Sequence, residues 1–311
     1  MMAAMPPEPA GAIGIVSNPN SGVGNARRIA GRIQQDLEAR GLSAVHLNAP
    51  SAAACAEGIR RRRGDLRALL LVGGDGLVSA AINTEEALSL PIGLIPVGTG
   101  NDFARHLGVP IDRPLDALAQ ALASLDRPVS VDLGHITGPG VDILFAGALS
   151  FGFDAAVNRR ANALHARFRR YKYQVALLLE VFSYGPRDLR IELDGVARDF
   201  SGMLATVLNI RSFGGGIRVA PHASIRDGRL DLLTVSRLSR FRFLRLLPTL
   251  LTGTHVKRPE VKFRSVTDVT LEAAGVEAYA DGEPVGRDGP FRITVKPGAI
   301  RVLGVADGTG L

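Results

Sequence analysis

Leu69-Leu70-Leu71-Val72-Gly73-Gly74-Asp75-Gly76 is an apolar run that ends abruptly on three glycines and one aspartate. Four consecutive apolar residues suit a buried parallel strand, and glycines at its end let the backbone approach a bulky group closely. Ligands of open α/β sheets bind at the carboxyl ends of the strands, which is where Asp75 stands. The stretch therefore predicts a parallel α/β sheet with a carboxylate in its ligand crevice.

Two further loops repeat this arrangement. Pro96-Val97-Gly98-Thr99-Gly100-Asn101-Asp102 follows the apolar run at residues 91–95, and Asn18-Pro19-Asn20-Ser21-Gly22-Val23-Gly24 follows the strand predicted at residues 13–17. Glycine-rich loops at consecutive strand ends expose backbone N–H groups that suit the oxygens of a polyphosphate. The Asn18 loop alone is a poor dinucleotide fingerprint, because Gly22-Val23-Gly24 lacks the third glycine, and a surface turn fits it equally well.

The composition indicates a cytoplasmic protein with two domains of ordinary size. The 311 residues are 46% apolar, which is enough for real cores, and the single cysteine, Cys55, excludes a disulfide framework and a cysteine-ligated metal site. The net charge of +7 favours anionic partners such as nucleotides or an acidic lipid surface, although biased codon usage would explain part of the arginine excess. No nucleic-acid-binding motif is present, so we expect no nucleic-acid partner.

The order of the predicted elements indicates two domains. Strands and helices alternate up to about residue 125, whereas strands dominate from residue 129 onward, with helical segments at residues 154–182 and 240–251. Alternation is typical of a parallel α/β domain, and a run of strands is typical of a separate β-rich domain. The pattern therefore predicts a domain boundary near residues 127–135.

Motifs from about Ile13 to Leu303 resemble the diacylglycerol kinase catalytic-domain family, which includes bacterial lipid kinases, sphingosine kinases and ceramide kinases. Each motif alone is a weak signal, whereas their common order along nearly the whole chain is specific. The motifs are Asn18-Pro19-Asn20-Ser21-Gly22, Gly73-Gly74-Asp75-Gly76, Gly98-Thr99-Gly100-Asn101-Asp102-Phe103-Ala104-Arg105, Ser150-Phe151-Gly152-Phe153-Asp154-Ala155, Phe213-Gly214-Gly215-Gly216, Ala220-Pro221-His222-Ala223-Ser224, Asp227-Gly228-Arg229-Leu230-Asp231 and Asp281-Gly282-Glu283.

The resemblance implies a fold and an activity. The fold is an N-terminal three-layer α/β domain with a parallel sheet at residues 11–130, to which residues 297–311 return, and a C-terminal β-sandwich domain at residues 131–296. The first domain would bind ATP with Mg²⁺ and the second the lipid, and the γ-phosphate would pass to a hydroxyl of diacylglycerol or a related lipid in the cleft between them. We expect a cytoplasmic protein with peripheral contact to an anionic membrane, and a homodimer is left open.

The resemblance also implies roles for individual residues. Asp75 would ligate Mg²⁺ or take the proton of the acceptor hydroxyl, and Glu283 is the other candidate for the general base. Asp102 and Thr99 would shape the second loop. Asp227 would help to hold a structural cation, with an ordinary Asp-Gly turn as the alternative. The predicted nucleotide contacts are Asn18, Ser21, Gly22, Gly73, Gly74, Gly76, Gly98, Thr99, Asn101 and Asp281.

Four further features have two interpretations each. Arg169 and Arg170 would lie near the phosphates or on a solvated helix face, and Asp154 would recognise the acceptor or cap the following helix. Residues 237–251 combine arginines with leucines and phenylalanines, which suits a helix lying on an anionic membrane and also a helix packed on the sandwich. Residues 60–63 are four arginines, for which a helix C-terminus is the better interpretation than a phosphate site.

The sequence departs from the family pattern just after Gly76. Leu77 stands where the family usually has Thr, Ala80 where Glu is common, and Gly147 where Asn is frequent. A lost hydroxyl and a lost carboxylate would lower the activity or change the nucleotide, so a non-catalytic lipid or nucleotide sensor is one alternative. An NAD-kinase-like enzyme with a soluble acceptor is another, although such enzymes resemble this chain only around the Gly-Gly-Asp-Gly loop.

Overall fold

A computed structural model describes residues 11–18, 25–164 and 172–305 of the chain. These residues form two compact units. Unit 1 contains the described residues up to Gly98 together with Val109–Val129 and Ile300–Val305, and unit 2 contains Thr99–Gly108 and Ser130–Ala299. The chain therefore passes between the units more than once.

Unit 1 is built on a sheet of five strands. In chain order the strands are β1 (Ala12–Ser17), β2 (Ala44–Asn48), β3 (Leu66–Gly73), β4 (Pro91–Pro96) and the last residues of β15 (Phe291–Leu303), and in the sheet they stand in the order β15-β4-β3-β1-β2. The helices of unit 1 are α1 (Asn25–Ala39), α2 (Ala52–Arg62), α3 (Asp75–Ile82), α4 (Glu85–Leu88) and α6 (Pro114–Ala123), whereas α5 (Asp102–His106) belongs to unit 2.

Helices cover both faces of this sheet. All its strand pairs are parallel. Crossovers between parallel strands are right-handed. The connection from β1 to β2 crosses the sheet in one direction, and the connection from β2 to β3 crosses it in the opposite direction. Helices α1 and α2, which lie in these connections, are therefore on opposite faces. The helix contacts agree, since α6 packs on α1 and β4, while α2 packs on α3 and α4. Unit 1 thus has three layers, and β3 is buried at every residue from Ala68 to Gly73, as a strand covered on both faces should be.

The arginine run at the end of α2 is paired locally. Arg60 lies 2.9 Å from Glu86, Arg62 lies 3.4 Å from Asp65, and the Arg63 guanidinium donates to the Ser89 hydroxyl at 2.6 Å. Basic residues are favourable in the last turn of a helix, and these side chains also find partners there. The contacts favour the structural interpretation of this run over a phosphate site.

Unit 2 consists of antiparallel strands with helices packed on them. One path of paired strands runs β14-β13-β7-β9-β8-β12-β15; β10 pairs with β9 and β11, and β5 pairs with β15 and β6. The strands are β5 (Val129–Gly138), β6 (Val141–Phe145), β7 (Ala148–Gly152), β8 (Arg187–Leu193), β9 (Val196–Leu208), β10 (Leu230–Ser236), β11 (Val261–Val266), β12 (Asp268–Glu272), β13 (Glu277–Ala280), β14 (Glu283–Arg287) and the first part of β15, and the longer helices are α7 (Phe153–Ala163), α8 (Lys172–Ser183) and α9 (Arg240–Thr252).

Two hydrophobic clusters fill unit 2. The sandwich cluster includes Phe151 and Phe291, whose rings meet edge to face with centroids 6.0 Å apart. The helix cluster lies under α7, α8 and α9 and includes Phe243. Strand β9 supplies Ala205 to the sandwich cluster and Leu204 to the helix cluster, because successive side chains of a strand point to opposite faces. Its second half is therefore buried on both sides.

The predicted fold class, a parallel α/β domain followed by a β-sandwich domain, is confirmed. The helical segment predicted at residues 154–182 contains two helices, α7 and α8. Strands β6 and β7 are separated because the N–H groups of Ala146 and Gly147 donate to the carboxylate of Asp281 instead of continuing a strand ladder.

Candidate active site

The strands that precede the three predicted loops end at one edge of the unit 1 sheet. Ser17 pairs with Val72 and Gly73 pairs with Pro96, so β1, β3 and β4 end side by side. The N–H of Val97 donates to the carbonyl of Gly73 at 2.9 Å, which continues the contact beyond the strands. Asn18, Gly74 and Gly98 therefore follow neighbouring strands at the same edge. Ser21 and Gly22, also predicted there, lie outside the described residues, as do Arg169 and Arg170.

Asp75 is the first residue of α3, and Gly74 is its N-cap residue. The N–H groups of Leu77 and Val78 donate to the carbonyl of Gly74 at 2.9 and 3.3 Å, so the helix begins directly at the end of β3. The free N–H groups and the dipole of a helix N-terminus favour negative charge. This strand-to-helix turn combines a carboxylate with a backbone suited to anions.

Leu77, one of the departures from the family pattern, is a core residue. It is buried, and a Cβ atom placed on Gly73 would come within 2.7 Å of the Leu77 Cδ2 atom. The side chain of Leu77 thus covers Gly73 and packs α3 against β3. Leu77 therefore has a packing role in unit 1.

Gly76 offers a test of ligand approach. A Cβ atom on Gly76 would meet no atom within 4 Å, and the residue lies in α3. We expect Gly76→Ala to leave the free energy of unfolding unchanged or raise it by up to about 1 kcal/mol, through helix propensity. If phosphates approach this backbone, the added methyl lowers the kinase rate about tenfold or more.

The matched control for Gly76→Ala is Gly31→Ala in α1, where a Cβ atom also meets nothing within 4 Å. It should give the same gain in stability with an unchanged rate. Chemical denaturation and a kinase assay measure both quantities. Parental activity in Gly76→Ala would show that no ligand approaches Gly76.

The segment Thr99–Gly108 is held within unit 2 by two side chains. The carboxylate of Asp102 accepts hydrogen bonds from the N–H groups of Gly215 and Gly216 at 2.9 and 2.7 Å. The Nδ1 atom of His106 accepts from the N–H of Arg211 at 3.1 Å, and burial, with a smaller effect of the Arg211 cation, lowers the pKa of His106 to about 4. His106 is therefore neutral near pH 7 and acts as an acceptor.

Sequence reasoning assigned Asp102 to shaping its own loop but missed its partner. Gly214, Gly215 and Gly216 all have positive φ angles, of 72°, 88° and 95°. Glycine is the residue type that tolerates this conformation, so the run Gly214-Gly215-Gly216 was a signal for a tight backbone turn. The predicted nucleotide residue Asn101, which precedes Asp102, is buried and itself has a φ of 54°.

Asp281 fastens the turn between β6 and β7. Its Oδ2 atom accepts from the N–H of Ala146 at 2.8 Å, and its Oδ1 atom accepts from those of Gly147 and Ala148 at 2.8 and 3.1 Å. A Cβ atom on Gly147 would lie 2.9 Å from Oδ1, which gives a reason for Gly at a position where the family often has Asn. Glu283, two residues on, is exposed at the start of β14.

Asp227 makes the contacts of an Asp-Gly turn. Its Oδ1 atom accepts from the N–H of Arg229 at 3.0 Å. The neighbouring Asp132 is buried, and its carboxylate accepts from the N–H groups of Gly228 and Gly298, both at 2.8 Å. Within the described ranges, no group of three or more His, Cys, Asp or Glu side chains could hold a metal ion. The cation role of Asp227 stays a prediction.

The carboxylate of Asp154 is enclosed by polar groups of unit 2. It accepts a hydrogen bond from the Thr206 hydroxyl at 2.5 Å and another from the N–H of Ala155 at 3.0 Å. Burial raises the pKa of Asp154 to about 6, although these bonds and one from Ser150 oppose the shift. Both oxygens have partners in the protein, which favours a structural role in the first turn of α7 over recognition of the acceptor.

Two models of known protein families match this chain, one in its first part and one in its second. The model of the diacylglycerol kinase catalytic domain matches residues 12–136, and that of the YegS C-terminal NAD kinase beta sandwich-like domain matches residues 147–304. The chain belongs to the diacylglycerol kinase catalytic-domain family. The family predicted from the sequence motifs, and with it the assignment to a family of kinases, is confirmed.

Relatives of this diacylglycerol kinase family cover nearly the whole chain. A diacylglycerol kinase of Mycobacterium tuberculosis (strain ATCC 25618 / H37Rv) is 34% identical in an alignment 306 residues long that covers 94% of this chain and 95% of that protein. A diacylglycerol kinase of Bacillus subtilis (strain 168) is 27% identical in an alignment 275 residues long that covers 86% of this chain and 88% of that protein.

Solved structures share the fold. A crystal structure from Bacillus anthracis str. Sterne aligns with a TM-score of 0.79 at 18% identity and covers 100% of both chains. A second one, of a diacylglycerol kinase from the same strain, aligns with a TM-score of 0.68 at 17% identity and covers 96% of this chain and 98% of that one. The chain therefore shares its fold with these two solved structures.

Asp154 makes the stability of this family member depend on pH. Because the pKa of Asp154 is raised on folding, the folded state binds more protons than the unfolded state between about pH 4 and pH 6. The free energy of unfolding should fall by about 2 kcal/mol, relative to Asp154→Asn, as the pH rises through this window. Denaturant midpoints at a series of pH values measure it.

Thr206→Val tests the same carboxylate by a change in the opposite direction to Asp154→Asn. The Thr206 hydroxyl lowers the pKa of Asp154, so its loss should raise that pKa further and steepen the fall in stability. Parallel stability curves for the parent and Asp154→Asn would contradict this interpretation.

Proposed function

We propose that the protein is an ATP-dependent lipid kinase that transfers the γ-phosphate to a hydroxyl of diacylglycerol or a related lipid. One observation carries this proposal: Asn18, Gly74 and Gly98 follow neighbouring parallel strands at one sheet edge, where Asp75 begins α3. The lipid acceptor is supported by the relatives from M. tuberculosis and B. subtilis, both diacylglycerol kinases.

In phosphoryl transfer the protein catalyses by positioning the reactants and stabilising charge rather than by covalent chemistry. Backbone N–H groups at the glycine-rich edge and in the first turn of α3 would hold the phosphate oxygens. Asp281 would contribute to nucleotide binding through the β6–β7 turn, which its hydrogen bonds stabilise. The other proposed nucleotide contacts are Asn18, Ser21, Gly22, Gly73, Gly74, Gly76, Gly98, Thr99 and Asn101.

Mg²⁺ fits the donors at this edge. The ion usually binds one or two carboxylates together with substrate phosphates, and Asp75 supplies a carboxylate at the end of β3. When bound with ATP, Mg²⁺ would neutralise charge on the phosphates. Asp75 thus has two candidate roles, ligand of the ion or base for the acceptor hydroxyl, and Glu283 is the other candidate base.

The proposed setting is the cytoplasmic surface of an anionic membrane. The lipid acceptor resides in a bilayer, and the chain carries a net charge of +7 that favours anionic surfaces. We propose peripheral contact with that surface and no nucleic-acid partner. A homodimer is one possible oligomeric state, and light scattering of the purified chain would measure it.

The test is phosphorylation of a panel of acceptors. The purified full chain is incubated with radiolabelled ATP, Mg²⁺ and detergent micelles that contain one lipid at a time, namely diacylglycerol, monoacylglycerol or a sphingoid base, and separately with NAD. We expect labelled phosphatidic acid from diacylglycerol. Labelled NADP with unlabelled lipids would favour the NAD-kinase-like alternative, and a protein that binds ATP but labels no acceptor would favour the sensor.

A further inference from the structure

One apolar stripe of α8 is turned outward. Leu178, Leu179 and Phe182 are 56%, 46% and 59% exposed, and their spacing places them on one side of the helix. On the other side, Glu180 is buried and forms an ion pair with Arg160 of α7. The helix therefore exposes three large apolar side chains in addition to the face that packs on the helix cluster, and it buries its acidic side chain.

Helix α9 carries two apolar stripes. Phe243 and Leu246 are buried in the helix cluster, as the packed interpretation of residues 237–251 expects. Phe241, Leu244 and Leu251, in contrast, are 81%, 37% and 72% exposed. Their spacing of three and seven residues places them on one line along the helix. One face of α9 thus packs on unit 2, while a second apolar stripe is exposed.

The two helices are fixed next to each other. Helix α8 packs on α9. The ring of Phe153 at the start of α7 meets Tyr184, just after α8, with centroids 5.6 Å apart, and Phe243 of α9 with centroids 4.6 Å apart. Both outward stripes therefore lie on helices that pack together within unit 2.

The charged residues of α9 and its flanking segments have one sign. From residue 237 to residue 259 the sequence contains no Asp or Glu, and Arg237, Arg240, Arg242 and Arg245 are exposed. Arginines beside exposed Phe and Leu match a bilayer with anionic headgroups, since the apolar rings enter the acyl boundary while the guanidinium groups meet phosphate. A second copy of the chain would bring like charges together across the contact.

We propose that α8 and α9 together form a docking surface for an anionic phospholipid bilayer. The surface binds in the plane of the membrane, and none of the helices in the described part of the chain is long and apolar enough to cross it. This inference deepens the proposed function by locating its membrane contact, and it is tested by binding alone, without nucleotide.

The experiment is sedimentation of the full chain with vesicles of phosphatidylcholine, alone or mixed equally with phosphatidylglycerol. Phe182→Ser combined with Phe241→Ser should lower the partition coefficient on mixed vesicles about tenfold or more. Arg240→Gln with Arg242→Gln and Arg245→Gln should abolish the preference for phosphatidylglycerol. The control pair, Leu115→Ser with Val196→Ser, removes exposed apolar residues of α6 and of the β8–β9 hairpin, and should bind within about twofold of the parent.

Three outcomes would contradict the proposed docking surface. The first is a Phe182 and Phe241 variant that binds vesicles as well as the parent does. The others are an equal loss of binding in the control pair and a parent that does not prefer phosphatidylglycerol. Dissociation of a parental dimer by that variant, with vesicle binding unchanged, would instead identify an interface between copies. Phosphorylation of a water-soluble short-chain diacylglycerol separates the two proposals. Equal rates for the parent and the variant would support both the docking surface and the proposed function. An inactive parent that binds vesicles as expected would support the docking surface and contradict the proposed function.

Discussion

Asp75→Asn is expected to lower the rate of lipid phosphorylation by about three orders of magnitude. The amide keeps the shape of the side chain but removes the negative charge at the point where β3 ends and α3 begins. That charge would hold Mg²⁺ or accept the proton of the acceptor hydroxyl. Rates with diacylglycerol in micelles at saturating ATP measure the effect.

Two further measurements assign the role of Asp75. If it holds Mg²⁺, a higher Mg²⁺ concentration should restore part of the rate of Asp75→Asn, whereas a lost base would not respond to the ion. The matched control is Asp116→Asn in α6, an exposed carboxylate 3.0 Å from Arg113, which should keep the rate within about twofold. A rate of Asp75→Asn within tenfold of the parent, at equal melting temperature, would remove Asp75 from the machinery.

Asp281→Asn is expected to destabilise the protein by about 3 kcal/mol. The carboxylate accepts three backbone hydrogen bonds, from Ala146, Gly147 and Ala148, and an amide offers one oxygen while its NH₂ group would face an N–H donor. The turn between β6 and β7 would lose its fastening. Chemical denaturation of the full chain measures the change.

The result for Asp281 separates two roles. A direct nucleotide contact predicts a raised KM for ATP at an unchanged melting temperature, whereas fastening of the turn predicts a lower melting temperature. The control Asp268→Asn removes an exposed partner of Arg292 in the same unit and should cost less than about 1 kcal/mol. Unchanged stability of Asp281→Asn would show that these three bonds are dispensable.

The sequence predicted the sheet edge because its signals are local. An apolar run, a glycine-rich turn and a helical pattern follow each other within a few residues around Gly73 and Asp75, and parallel strands bring such turns to one edge. The same reasoning placed Asn18 and Gly98 there, and the motif order identified the family.

The sequence did not reveal the backbone partners of three carboxylates of unit 2. Asp102 with Gly215, Asp281 with Ala146, and Asp132 with Gly298 are separated by more than a hundred residues. A backbone N–H group carries no residue-specific signal, so no pattern along the chain marks it as the partner of a distant carboxylate. The choice of Asp75 or Glu283 as the general base also depends on an arrangement of residues far apart in the sequence, and both roles stay predictions.

By itself the sequence determined the order of strands, turns and helices, and thereby the fold class and the loops that carry Asp75, because hydrophobic periodicity and glycine placement act over short distances. Only the tertiary structure decided which apolar faces are covered. Leu246 and Leu251 are both leucines of α9, yet packing on the helix cluster buries the first and leaves the second exposed. Burial depends on what a neighbouring element covers, and that is a property of the folded chain.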